Sequence, residues 1–199
     1  MGSISIIIGP HRPNSQSLRF GNELAKLVPP SFSCTIVDLF SKKIPLWDQT
    51  IWDLKDQWSP QWNEVAKDLE KSEGFIICCP EYGGMVPAIL KNFFLLATSS
   101  LLGNKPALLV GISSGQGGQY PLQELRSSSY KNTKIVYLPD HLVVRNCEKV
   151  SLLKDHPSFE ERLSIRAIKT LELFAVYTKA FREIRQNSAV AEFPYSYGM

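Results

Sequence analysis

Ile4-Ser5-Ile6-Ile7-Ile8-Gly9-Pro10-His11-Arg12-Pro13-Asn14-Ser15-Gln16-Ser17 opens the chain with a β-branched run, a turn and the start of a helix. The isoleucines read as a strand and Gly9-Pro10 ends it. Ser15 suits the position before a helix, and Leu18, Gly21, Ala25 and Val28 recur at helical spacing until Pro29-Pro30 stops the run. A strand that is apolar at nearly every position is buried on both faces, as in a parallel sheet covered by helices.

The same alternation continues along the chain. Strands are expected at Cys34 to Asp38, Gly74 to Cys79, Pro106 to Ile112 and Lys134 to Leu138, the last continuing through His141 to Val144 after Pro139. Helices are expected from Trp62 to Lys71, from Pro87 to Thr98 with proline in the first turn, from Tyr120 to Tyr130, and from about Ser158 to about Arg185. In the last of these Leu163, Ala167, Leu171 and Phe174 share one stripe. Residues 39 to 60, with Pro45, Pro60 and Trp47, Trp52 and Trp58, read as irregular, the mark of a lid, a binding loop or an interface. Strand–helix alternation implies right-handed crossovers and a five-stranded parallel sheet with helices on both faces, and 2-1-3-4-5 is the order in which the ends of strands one, three and four converge on one crevice. Residues 1–199 then form one α/β domain, with 190–199 a tail. Its Phe193, Tyr195 and Tyr197 either dock, on this chain or on a neighbouring subunit, or fray.

Composition narrows the function. The 44% hydrophobic and 21% charged residues fit a globular protein, and a net charge of +3 without a basic block makes nucleic acid a poor partner. No targeting segment, myristoylation pattern or membrane-length apolar run is evident, so a cytoplasmic protein with no membrane association is expected. Cys34, Cys78, Cys79 and Cys147 form no CxxC pair and read as reduced, mostly buried thiols. Cys78 and Cys79 should point to opposite faces of their strand. Metal spacing, a Ser-His-Asp order and a Walker loop are absent, and His11, His141 and His156 lack an evident acidic partner.

In an open sheet of this order, ligands bind beyond the carboxyl ends of the strands. Three loop-like segments fall there. Gly9 to Ser17 offers Arg12, Asn14, Ser15, Gln16 and Ser17 at a helix start. Such a set suits a phosphate, or is simply a capped helix with an exposed arginine. Pro80-Glu81-Tyr82-Gly83-Gly84 lets backbone amides approach a flat ligand. Tyr82 either packs on a ring or covers apolar surface, and Glu81 either fixes the loop through backbone N–H groups or lies exposed. Ser113-Ser114-Gly115-Gln116-Gly117-Gly118 is a ring edge, a second phosphate site or a flexible turn.

At these residues the chain resembles the NADPH-dependent FMN reductase family of flavodoxin-like proteins. Gly9, Arg12 and Ser15 match its G-S-x-R-x-x-S signature. Pro80, Glu81, Tyr82, Gly84, Pro87, Leu90, Lys91 and Asn92 match P-E-Y-N-G-S-x-P-x-x-L-K-N, and Ser113 to Gly118 resembles S-x-G-x-x-G-G, continued by Leu125-Arg126. The resemblance runs over roughly residues 4 to 145. It implies a flavodoxin-like three-layer sandwich that binds FMN and takes hydride from NADPH or NADH to a small acceptor: a quinone, flavin, azo compound or metal oxyanion. Arg12, Ser15 and Ser17 would hold the FMN phosphate within a binding set of Gly9, Pro10, Arg12, Asn14, Ser15, Gln16 and Ser17. Pro80, Glu81, Tyr82, Gly83 and Gly84 would line the ring, and Ser113, Ser114, Gly115 and Gly117 would border its other side. No side chain is assigned a catalytic role, because the flavin carries the chemistry. Relatives pack as homodimers and homotetramers, and Lys91 is expected in an intersubunit ion pair.

Four departures stand out. Pro10 replaces a serine, Gly83 an asparagine and Gln119 an arginine, and Leu95-Leu96 replaces Asp-Trp. Two other readings remain open: a flavodoxin-like electron carrier, and a module without reductase activity. A carrier would be strongly acidic, unlike this chain.

Overall fold

The computed structural model describes residues 1–54, 58–153 and 159–194, the side chains of 159–161 apart. The strands are β1 (Gly2–Ile8), β2 (Phe32–Asp38), β3 (Gly74–Pro80), β4 (Pro106–Ile112) and β5 (Val136–Val144). They form one sheet of order β2-β1-β3-β4-β5, and every neighbouring pair is parallel. The helices are α1 (Gln16–Leu27), α2 (Leu39–Lys42), α3 (Ile51–Leu54), α4 (Pro60–Lys71), α5 (Ala88–Leu96), α6 (Ser99–Leu102), α7 (Tyr120–Ser128), α8 (Tyr130–Thr133), α9 (Phe159–Gln186) and α10 (Ser188–Ala191).

Side chains alternate across each buried strand and feed two cores. Ile4, Ile6, Ile8, Ile76, Cys78, Leu108 and Val110 meet Phe20 and Leu24 of α1 and Ala167, Leu171 and Phe174 of α9. Ile7, Phe75, Ile77, Cys79 and Leu109 meet Val65 and Leu69 of α4, Leu90 and Phe93 of α5, and Leu122 and Leu125 of α7. Cys78 and Cys79 therefore do face opposite layers, and burial pushes the Cys78 thiol up to about 12. A Cβ at Gly21 would lie 2.4 Å from Ile8 Cδ1, so that glycine lets α1 lie close on β1. Ser5, fully buried between apolar neighbours, shares a 2.7 Å hydrogen bond with Ser72.

Several elements differ from the sequence reading. Residues 39 to 60 contain the short helices α2 and α3, too brief to show any periodicity. Pro87 is the residue before α5 rather than its first turn, and the chain leaves that helix at Leu96 to form α6. The single helix expected from Tyr120 to Tyr130 is two, α7 and α8. Strand β5 begins at Val136, because Lys134 adopts a left-handed φ of 51° at the end of α8. It runs without a break past Pro139, which an edge strand tolerates beside the register shift between Ala107 and Leu109. In the tail, Phe193 lies under Lys134 Nζ at 5.0 Å, so this part docks on its own chain. Tyr195, Tyr197, His156 and the expected helix start at Ser158 lie outside the described residues. Among the described residues, no helix is long and apolar enough to cross a membrane, and no His/Cys/Asp/Glu group has metal-binding geometry.

Candidate active site

Parallel pairing in this order brings the carboxyl ends of four strands side by side. Ile8 is opposite Cys78, Pro80 opposite Ile112, and Ile112 opposite Val144. The turns after β1, β3 and β4 therefore share one edge of the sheet, as the sequence order required.

The first turn hangs from β3 through the Gly9 N–H, which donates to the Cys78 carbonyl at 3.0 Å. A Cβ at Gly9 would meet Leu90 Cδ2 at 2.9 Å, so the chain passes closely over α5. Pro10 is buried, and His11 to Asn14 are exposed. Asn14 takes φ 47° and swings the chain into α1, where Ser15 accepts a 3.1 Å hydrogen bond from the Leu18 N–H. Ser15 and Ser17 are buried, yet the Ser17 hydroxyl has no hydrogen-bond partner among the described residues. The Arg12 guanidinium has no carboxylate there either. Gln16 is engaged, its side chain accepting from Arg19 Nε at 2.7 Å.

The second turn is a two-residue hairpin. Tyr82 N–H donates to the Met85 carbonyl at 3.2 Å and Met85 N–H to the Tyr82 carbonyl at 3.1 Å. Gly83 and Gly84 have φ 58° and 80°, the positive values that a type I′ turn requires. Asparagine also tolerates the first position, so Gly83 keeps the family's turn without its side chain. Glu124 of α7 holds the turn's exit: Oε2 accepts from the Val86 N–H at 2.8 Å and Oε1 lies 2.5 Å from Lys91 Nζ. Partial burial opposes its ionisation, but the Lys91 ammonium and the Val86 N–H outweigh burial and hold the carboxyl below its ordinary 4.5. Lys91 is thus paired inside its own chain.

The third turn is fixed from two sides. Glu81, whose N–H reaches the Ile112 carbonyl at 3.0 Å, accepts with Oε2 from the Gly118 N–H. Glu81 therefore ties the second and third turns together, one of the two roles its sequence allowed. On the far side Ser113 N–H donates to the Val144 carbonyl at 2.9 Å, and Ser113 Oγ accepts from the Gly115 N–H at 3.2 Å. Ser114, Gly115 and Gln116 are exposed, and nothing lies within 4 Å of where a Cβ on Gly115 would be.

Sequence reasoning missed three contributors. Glu124 and the Arg145–Cys147 segment carry no motif. Asn92 stands out in the sequence only as part of the P-E-Y signature. Its Nδ2 donates to the Pro45 carbonyl and its Oδ1 accepts from the Trp47 N–H, both at 2.7 Å. That pins the irregular segment against α5, where Leu46, Trp47, Tyr82, Met85 and Leu95 line an open groove of about 650 Å³. Trp47 and Trp52 meet edge to face at 5.5 Å.

A doubly wound sheet with three clamped turns at its switch point defines a flavodoxin-like protein. The chain belongs to the NADPH-dependent FMN reductase family, whose model matches residues 3–149. It is 29% identical over 123 residues to a 2-hydroxy-1,4-benzoquinone reductase of a Burkholderia species, covering 58% of this chain and 62% of that one. It is 25% identical over 123 residues to a quinone reductase of Pseudomonas putida, covering 59% and 63%. The match thus spans less than two thirds of either relative. Among solved structures, the flavoenzyme FerB, an NAD(P)H:(acceptor) oxidoreductase of Paracoccus denitrificans, superposes with a TM-score of 0.74 at 18% identity, covering 91% of this chain and 99% of that one. An apo NADH:FMN oxidoreductase gives 0.70 at 14% identity, covering 88% and 89%. These structures share the fold.

Proposed function

We propose that the protein is an FMN-dependent NAD(P)H oxidoreductase that passes an electron pair to a small acceptor such as a quinone. One observation carries the reading: an anion cradle with spare donors lies beside two glycine turns that leave open space. The donor set fits FMN. The Arg12 guanidinium, the Ser17 hydroxyl and the first N–H groups of α1 suit a phosphate. Pro10 contributes no N–H, but it is buried beneath the turn, and Asn14, Gln16 and Ser17 still supply theirs.

Bound there, FMN would accept hydride from a reduced nicotinamide and return the electrons to the acceptor. The protein's part is to bind, orient and shelter. Arg12, Ser15 and Ser17 hold the phosphate; Gly9, Pro10, Asn14 and Gln16 shape the turn around it. Pro80 to Gly84 present backbone and the Tyr82 ring to one side of the flavin. Ser113, Ser114, Gly115 and Gly117 border the other. A second copy packed on the Leu46–Trp47–Met85–Leu95 wall covers it from water and gives a homodimer or, with a further interface, a homotetramer. The four free thiols suit the reducing cytoplasm, where nicotinamide is recycled.

The test is a visible spectrum of protein mixed with FMN and desalted, then anaerobic addition of NADPH or NADH. A retained flavin band that bleaches with nicotinamide and returns with benzoquinone is expected, with parallel double-reciprocal lines when donor and quinone are varied. Colourless protein after desalting refutes the reading.

A further inference from the structure

The segment after β5 carries a charge that no signature includes. Arg145 Nε donates to the Gln116 carbonyl at 2.7 Å. Asn146, at φ 47°, donates its N–H to the Gly115 carbonyl at 2.9 Å, and the Cys147 N–H reaches the Ser113 carbonyl at 3.0 Å. Arg19 holds this segment from behind through the Cys147 carbonyl. Arg145 is half-buried and has no carboxylate partner among the described residues, unlike Arg19, which pairs with Glu23 at 2.8 Å.

The Gln116–Gly117 peptide therefore has a cation at its carbonyl end. Its N–H end, on Gly117, has no acceptor among the described residues. A cation on the carbonyl polarises the amide and makes the free N–H a stronger donor. The neighbouring carboxylate, Glu81, is engaged one peptide further on, at the Gly118 N–H. A loop that needed only fixing would be served by a neutral donor; this one is held by a guanidinium that forms no ion pair among the described residues.

We infer that Arg145 is a positioning residue that sets the Ser113–Gly118 loop and biases the site toward the electron-rich, reduced form of a bound flavin. The inference rests on the FMN reading above. A reduced flavin carries more negative charge than the oxidised one, so a nearby cation favours it.

The experiment compares wild type, Arg145→Gln and Arg145→Lys. Affinity for oxidised FMN is read from fluorescence quenching, and the midpoint potential of the bound flavin from anaerobic dye equilibration. Arg145→Gln should weaken binding of reduced FMN about tenfold relative to oxidised FMN, equivalent to a potential about 30 mV lower for a two-electron couple. Arg145→Lys should restore most of it, because the charge returns. If Arg145→Gln loses affinity for both forms equally and keeps the wild-type potential, the residue is only a clamp and the inference falls. Wild type that binds no FMN would instead overturn the cofactor assignment itself.

Discussion

At Gly117 any side chain would begin 2.5 Å from Glu81 Oε1, and at Gly118 φ is 101°. These two glycines are set by contact and by backbone, whereas Gly115 faces open space. Arg12 is the opposite kind of residue, exposed and without a hydrogen bond or ion pair among the described residues. Charge-assisted hydrogen bonds are worth about 1.5–3 kcal/mol. Arg12→Ala should therefore weaken FMN binding about 10- to 100-fold in titration calorimetry and leave the melting temperature of the apoprotein unchanged. Undiminished retention would remove the phosphate role. Lys105 shows a titration fixed by packing. Its Nζ donates to the Leu69 and Glu70 carbonyls at the end of α4. Burial, aided by Arg185, pushes it down to about 8 from the ordinary 10.5. Between those values the unfolded chain holds the proton that the folded chain has lost, so this residue makes stability rise with pH. Urea midpoints from pH 7.5 to 10 should show a smaller rise in Lys105→Met than in wild type.

The strands and long helices were readable because each repeats a pattern that burial imposes. Ile4 to Ile8 and Pro106 to Ile112 are apolar throughout, and Leu163, Ala167, Leu171 and Phe174 mark a stripe. The segment between β2 and α4 was not readable, because four-residue helices span barely one turn. Its position comes from Asn92, a residue on another element. Asn92→Ala should cost about 2 kcal/mol through the two partners left unsatisfied. Amide exchange should quicken at residues 45–54 and stay unchanged in α1. Of the site, the three turns were legible from glycine, arginine and serine at strand ends. Glu124 and Arg145 were not, since their meaning depends on which turn each reaches.

Across the whole molecule, apolar side chains remain outside where the site opens: Leu46 is 80% exposed, Trp52 64%, Leu95 62% and Met85 60%. A monomer seldom leaves so many together, and a twofold contact would cover them. Leu95→Glu should convert the proposed dimer to monomer in light scattering while far-ultraviolet dichroism holds, and a wild-type monomer would contradict the proposed interface.

The strand order has a consequence for how the chain is made. β1 leaves the ribosome before the other four strands, yet it lies inside the sheet and can complete its second edge only when Gly74–Pro80 follow. Until then Ile4, Ile6, Ile7 and Ile8 are available to chaperones. The last of the three turns, ending at Gly118, emerges later still, so a nascent chain would not have the proposed flavin to rescue its own early folding.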